Sequence, residues 1–329
     1  MTSSMRGRLV LSALFAVITV FALLLYGDIV NVGDSLKHFK WSFVPAILAL
    51  TFFNYLLRFV KWEFYLRVSG MPRVKFVDSV LFFFSALAMT VTPGRVGEWV
   101  KSLYLRDRYK VPVSKSAPII LAERMSDGYA MILLAASGLI LVKRGWVFLI
   151  FVSILGLLGY MALRYRPAVR WSVAIFRRLP YTRRHTRFIV GFYQSARLLF
   201  SPKVLVVSIA IGFVSWLGEG IAMYYVLRGL GATNGFDLAV QGIFILAITS
   251  LAGAILLVPG GLGVSEGGIT GLSQALAGLS QAAAAAGALI IRICTLWFGV
   301  VLGIVALVVL AKRGSNVPLE ARTAPVKAS

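Results

Sequence analysis

Long apolar runs, each closed by basic or turn-forming residues, organise the whole chain. Leu9 to Tyr26 is 18 residues without a charge and follows Arg6 and Arg8. As a helix, that length crosses most of about 30 Å of hydrocarbon. The run ends in Leu-Leu-Leu-Tyr-Gly-Asp rather than a small-residue cleavage site, so it reads as an uncleaved span and not as a signal peptide. Further full crossings fall at 41–67, 116–142, 146–163, 204–227 and 282–311, which makes six. Two other apolar stretches, 77–105 and 238–280, are interrupted by Thr92-Pro93-Gly94 and by Pro259-Gly260-Gly261. The arm from Arg95 to Leu105 has 11 residues, about 16 Å as helix, and reaches only halfway. Both stretches are therefore predicted to be re-entrant hairpins with Pro-Gly tips near mid-membrane. Irregular backbone at that depth is tolerated only inside protein or beside a water-filled cavity. The expected fold class is all-α: a polytopic bundle of six full spans and two re-entrant helical hairpins.

Composition agrees with the bilayer as solvent. Hydrophobic residues are 59% of the 329, charged residues 14%, and mean hydropathy is +0.86, an excess that one water-soluble core cannot hold. One Cys excludes an intrachain disulfide framework, and two His, His38 and His185, speak against a His-based metal site. No metal or cofactor is expected. The net charge of +22 fits either nucleic acid or an anionic membrane face, and position decides for the membrane. With the N-terminus inside, 24 of the 34 Lys+Arg fall in cytoplasmic segments and 5 in outer ones, as the positive-inside rule requires. Both termini are therefore expected in the cytoplasm.

The longest polar piece, about 164–203, mixes Arg170, Arg177 and Arg178 with Trp171 and Phe176. It is read as an interfacial amphipathic segment on the anionic inner leaflet or as a loop that merely fixes topology. No G-x-x-x-x-G-K-[ST] motif occurs, so ATP hydrolysis by this chain is not expected. Residues 1–314 are taken as one transmembrane domain and 315–329 as a disordered tail.

The two hairpin tips resemble each other. Pro93-Gly94-Arg95-Val96-Gly97 aligns with Pro259-Gly260-Gly261-Leu262-Gly263 at an offset of 166. Glu98 and Arg124 align with Glu266 and Arg292 at an offset of 168. Repeat one would run from about 41 to 142 and repeat two from about 204 to 311. Three crossings between the tips would give the halves opposite orientation, a transporter architecture. The alternative is that two Pro-Gly breaks simply cap short helices in a structural bundle.

Away from their ends, the proposed spans and hairpins hold eleven ionisable residues: Arg58, Lys61, Glu63, Arg95, Glu98, Glu123, Arg124, Asp127, Glu219, Glu266 and Arg292. Each costs about 2.5–3.5 kcal/mol at a helix centre on insertion scales, so they should face inward and pair or line a polar cavity. Arg58 and Lys61 (i,i+3) share one helix face, Glu123 and Asp127 (i,i+4) another. Glu98 and Glu266 sit in first turns after the Pro-Gly tips, where the helix dipole favours negative groups. Lys101 lies one turn beyond Glu98, and Ser265 is the expected N-cap beside Glu266. Helix starts at Gly94/Gly97 and Gly261/Gly263, with Arg58, Lys61, Arg95, Arg124 and Arg292 nearby, would suit a phosphate. The competing reading is that the charges glue the bundle, for example as Glu98–Arg124 and Glu266–Arg292 pairs. Asp127 or Glu123 is the expected carrier of any coupling proton, and Glu63 and Glu219 rank behind the other site candidates. Gly299 and Gly303 form a G-x-x-x-G that serves packing within the bundle or a homodimer.

Taken in order, Arg58-x-x-Lys61-Trp62, Thr92-Pro93-Gly94-Arg95-x-Gly97-Glu98-x-x-Lys101, Glu123-Arg124-x-x-Asp127 and Pro259-Gly260-Gly261-x-Gly263-x-x-Glu266 resemble the lysylphosphatidylglycerol synthase transmembrane-region family, also called flippase-like. The resemblance covers nearly the whole chain and implies movement of a lipid between leaflets. In the best-known members this region is fused to a soluble synthetase domain that aminoacylates phosphatidylglycerol. No such domain is expected within this sequence, so aminoacyl transfer is not carried over. Stand-alone members are similar to proteins linked with hopanoids, phospholipids or polyprenyl-linked sugars. The function expected is transport of an anionic or phosphate-bearing lipid, without enzymatic activity. The rivals are a membrane-embedded lipid-modifying enzyme and a non-transporting lipid-binding partner of a biosynthetic enzyme. No nucleic-acid partner is expected.

Overall fold

The computed structural model describes residues 17–91, 98–136, 186–256 and 258–315, with isolated positions between 138 and 161. The first hairpin tip (Pro93, Gly94, Arg95 and Gly97), most of the predicted 146–163 span, the greater part of the 164–203 segment and the tail lie outside the described residues. Every regular element among the described residues is helical.

The first apolar run ends in a sharp corner. Helix α1 (Val17–Tyr26) meets α2 (Ile29–His38) at 92°. Asp28 makes the corner: it adopts a left-handed backbone (φ 62°), and its carboxylate accepts the Val30 N–H at 3.2 Å, starting α2 in a new direction. After a short turn at Trp41–Phe43, α3 (Val44–Val68) begins with Pro45 in its first turn, where a missing N–H costs nothing. Then come α4 (Phe76–Leu87), α5 (Val100–Tyr109) and α6 (Val113–Ala136). The second part comprises α7 (Thr186–Leu199), α8 (Pro202–Gly229), α9 (Phe236–Ile255), α10 (Val264–Ala277) and α11 (Gln281–Arg292). A widened π turn at Ile293–Trp297 leads into α12 (Phe298–Ser315).

Among the described residues, four helical runs are long and apolar enough to cross a membrane: 41–68, 202–229, 236–255 and 281–313. The bent α1–α2 pair makes up to five. Three of the four lie where the apolar pattern placed full crossings. The fourth, α9, was expected to be half of a hairpin. Its 20 residues run unbroken up to the Pro-Gly interruption and amount to about 30 Å, the full hydrocarbon thickness. Helix α6 is 24 residues long, but Glu123, Arg124 and Asp127 lower its hydropathy.

Helices α3 and α8 form the central pair. Across them Asn54 Nδ2 donates to the Ser215 carbonyl at 3.0 Å and Ser215 Oγ donates to the Asn54 carbonyl at 3.1 Å. Helices α4 and α5 pack together, as do α9 and α10. The flanking contacts are exchanged: α6 packs on α9, and α12 packs on α4. Gly299 and Gly303 of α12 face inward against Tyr55 and Ala88, so the G-x-x-x-G serves packing within the chain. Bare hydrophobic flanks such as Val206 and Val214 on α8 and Val301 and Val305 on α12 are exposed, as lipid-facing surfaces are.

Candidate functional site

At the second Pro-Gly interruption Gly260 and Gly261 are buried, and the turn is clamped. The turn Pro259–Gly261 separates α9 from α10, with Gly260 and Gly261 at φ 59° and 70°, a region that favours glycine. Gly263 follows at φ 82° and starts α10. Glu266 reaches back to accept the Gly263 N–H at 2.7 Å. Arg292 closes the arrangement: its Nε donates to Glu266 at 2.6 Å and its terminal NH2 donates to the Gly260 carbonyl at 2.5 Å. One guanidinium thus holds both the helix start and the bend, which only a planar, multi-donor group can do. Ser265 is not the N-cap expected from the sequence. Gly263 occupies that position, and the Ser265 hydroxyl instead donates to the Thr249 carbonyl of α9 at 3.3 Å. Two arms packed this closely offer the hydroxyl a partner across the hairpin.

Most of the remaining buried charges neutralise one another. Arg124 and Glu98 meet at 3.0 Å. This pair and Arg292–Glu266 occupy the positions aligned by the offset of 168. Lys101 meets Glu123 at 2.5 Å and lies over the Trp62 ring at 4.6 Å. Lys61 pairs with Asp127 and also donates to Ser126. Lys61 is 1% exposed and Asp127 2%, so neither can reach a ligand in this conformation. Arg58 and Lys61 share a helix but not a role: Lys61 is locked to α6, whereas Arg58 faces a cavity. Likewise the carboxylates of Glu123 and Asp127, the sequence candidates for a proton carrier, are taken up by lysines. Glu63 accepts from Ser79 near one end of α3, outside the cavity wall.

Between α3, α8, α9 and α11 lies a cavity of about 90 Å³ whose wall includes Arg58, Trp216, Glu219, Gly260, Gly261 and Arg292. At about 30 Å³ per water it holds on the order of three waters, so the conformation is closed to a lipid headgroup. The Arg58 guanidinium lies 5.9 Å from the centroid of the Trp216 ring, a cation–π contact. Among the described residues Arg58 makes no salt bridge, and neither does Glu219. The indole Nε1 of Trp216 is buried with no acceptor among the described residues. Tyr55 completes the wall, donating to the Thr295 carbonyl in the π turn at 2.6 Å.

Two larger and mainly apolar chambers flank this centre, each with one of the aligned ion pairs in its wall. One, of about 400 Å³, has Glu98 and Arg124 beside Met125, Leu251 and Val258. The other, of about 410 Å³, has Glu266 and Arg292 beside Leu23, Trp41 and Trp297. Arg292 therefore lines both a lateral chamber and the central cavity.

Trp216 was not singled out from the sequence, and Glu219 was ranked low. A signal for both was present: Tyr55-x-x-Arg58 and Trp216-x-x-Glu219 each place an aromatic and a charge at i,i+3 in a span, hence on one face. Among the described residues no group of three or more His, Cys, Asp or Glu could hold a metal ion.

A family model described as lysylphosphatidylglycerol synthase TM region matches residues 8–303. The chain belongs to that family. The chain is also similar to two matches named UPF0104 membrane protein, from Methanothermobacter thermautotrophicus (strain Delta H). One is 24% identical over 305 residues, covering 88% of this chain and 89% of the relative. The other is 29% identical over 145 residues, covering 42% of this chain and 41% of the relative.

Proposed function

We propose that this membrane protein moves an anionic or phosphate-bearing lipid between the leaflets of a bacterial inner membrane, with both termini cytoplasmic, and that it is a transporter rather than an enzyme. The observation that carries the reading is Arg58. Lys61, Lys101, Arg124 and Arg292 each meet a carboxylate, whereas Arg58 faces the central cavity without one. A half-buried guanidinium without a salt-bridged anion, beside an indole N–H that lacks an acceptor, suits a phosphate. The tails would stay in the apolar lateral chambers while the headgroup passes the Arg124–Glu98 and Arg292–Glu266 pairs, whose donors would transfer to the passing phosphate.

Two halves of opposite orientation are part of the same proposal. The order of helix, hairpin and helix recurs in α3–α6 and α8–α12, and the exchanged contacts of α6 with α9 and α12 with α4 are those expected of a two-fold relation. Alternate opening of the two lateral chambers would then give alternating access. The resemblance of the motif series to flippase-like proteins supports the same reading.

The test uses purified protein in liposomes carrying labelled phosphatidylglycerol. Exchange between leaflets with no covalent change is expected. Arg58→Ala, Arg95→Ala and Arg124→Ala should each lower the rate at least about tenfold while still inserting. A rate equal to that of protein-free vesicles, or a new lipid product, overturns the proposal.

A further inference from the structure

Glu219 is the acidic counterpart of Arg58. It is buried, 6% exposed, and forms no salt bridge among the described residues, yet it lines the same cavity as Arg58. Trp216, one turn earlier on α8, lies beneath the Arg58 guanidinium, so the two charges face one small cavity without forming a salt bridge. A carboxyl in such a place is stabilised either by a cation or by a proton.

The charge balance of the cavity identifies which, and when. With the cavity empty of lipid, Arg58 and an ionised Glu219 sum to zero. A phosphate monoanion on Arg58 leaves one negative charge in excess if Glu219 stays ionised, and none if Glu219 is protonated. Excess charge in the middle of a bilayer is disfavoured. The other groups that face Glu219 do not absorb it. From α3 these are Tyr55 and Arg58, from α6 Asp127, which is paired with Lys61, and from α11 Arg292, which is paired with Glu266. Helix α9 brings Ser250 to the wall, and α7 and the turn at Trp41–Phe43 bring nothing.

We propose that Glu219 is the coupling group of the transporter: it takes up one proton from water when Arg58 binds a lipid phosphate and releases it when the phosphate leaves. This rests on the lipid-transport reading and adds a driving force to it, because a proton gradient then moves lipid toward the alkaline side. Arg58 holds the anion, Trp216 donates its N–H to it, and Glu219 alternates between carboxylate and carboxylic acid with no other bond made or broken.

The full chain is reconstituted in vesicles with fluorescent phosphatidylglycerol, and leaflet distribution is followed under an imposed pH gradient. Wild type should accumulate the lipid in the leaflet on the alkaline side. For Glu219→Gln the ratio of rates measured at acid and alkaline pH should fall to one, and gradient-driven accumulation should vanish. Retention of the accumulation by Glu219→Gln, or a wild type that exchanges lipid without responding to the gradient, overturns the coupling and leaves transport standing. A wild type that moves no lipid overturns the transport reading and the coupling with it. A second measurement needs no variant: adding short-chain phosphatidylglycerol to the detergent-solubilised protein with a pH indicator should record one proton taken up per lipid bound, and diacylglycerol none. Phosphatidylglycerol binding with no proton uptake overturns the proposal.

Discussion

Asn54 and Ser215 exchange hydrogen bonds across the central helix pair, each side chain donating to the other residue's carbonyl at 3.0 and 3.1 Å. Both residues are fully buried, and the pair ties α3 to α8 through backbone acceptors that a helix would otherwise share only within itself. Interhelical hydrogen bonds in membranes contribute about 0.6 kcal/mol on average and up to about 1.7. Ser215→Ala should therefore lower stability modestly and Asn54→Leu more, since it adds bulk at a tight crossing as well. Thermal unfolding in detergent checks this; Asn54→Leu as stable as wild type contradicts it.

The buried Lys61–Asp127 pair should behave as structural glue. Removing one partner strands a charge and costs about 3–5 kcal/mol, whereas replacing both with apolar groups of similar size is often near neutral. Lys61→Met and Asp127→Leu should each unfold far more readily than wild type, and the double variant should recover most of the loss. A double variant no better than the singles, measured by thermal unfolding in detergent, would give the pair a role beyond mutual neutralisation.

Gly303 is where α12 lies against the end of α4. A Cβ there would come within 2.2 Å of the Ala88 backbone nitrogen, and backbone cannot step aside as a flexible side chain can. Gly303→Leu should separate α12 from α4 and cut the folded yield severely, whereas Val305→Leu, on the exposed side of the same helix, should have little effect. Size-exclusion profiles of the two variants make the comparison.

Outside the spans, Tyr109 gives a pH dependence with a definite sign. Burial pushes its hydroxyl above the ordinary tyrosine range, and donation to Asp78 at 2.7 Å pushes it further. A group whose folded state binds its proton more tightly stabilises fully below the unfolded value, near pH 10, and loses that contribution as pH rises through the folded value. Wild type should therefore lose stability in the alkaline range above about pH 10 more steeply than Tyr109→Phe. Parallel profiles of melting temperature against pH would refute this.

How much of this was legible beforehand differs from element to element. The crossings at 41–67, 204–227 and 282–311 were visible because an uninterrupted apolar run needs no tertiary information to be placed in hydrocarbon. The pairs Glu98–Arg124 and Glu266–Arg292 were visible as well, since buried charges of opposite sign at matching offsets have few other partners. Helix α9 is longer than the hairpin arm the break suggested, long enough by itself to cross a membrane: a Pro-Gly break shows that a run is interrupted, whereas the length of helix before the break is set by the residues that precede it. Ser265 was misjudged in role, because a hydroxyl near a helix start suits an N-cap equally well as a bond to the opposite arm.

The sequence by itself determined that this is a helical membrane protein of the lysylphosphatidylglycerol synthase transmembrane-region family, because hydrophobic run length, basic flanks and the Pro-Gly motifs are local properties of the chain. Only the tertiary structure decided which charges neutralise each other and which remain. Arg58 and Lys61 are three residues apart and chemically alike, yet one is locked to Asp127 and the other faces Trp216 and Glu219 across a cavity. That division depends on which helices lie opposite each face of α3, and pairing in a low-dielectric interior is fixed by distances of a few ångströms between groups far apart in sequence.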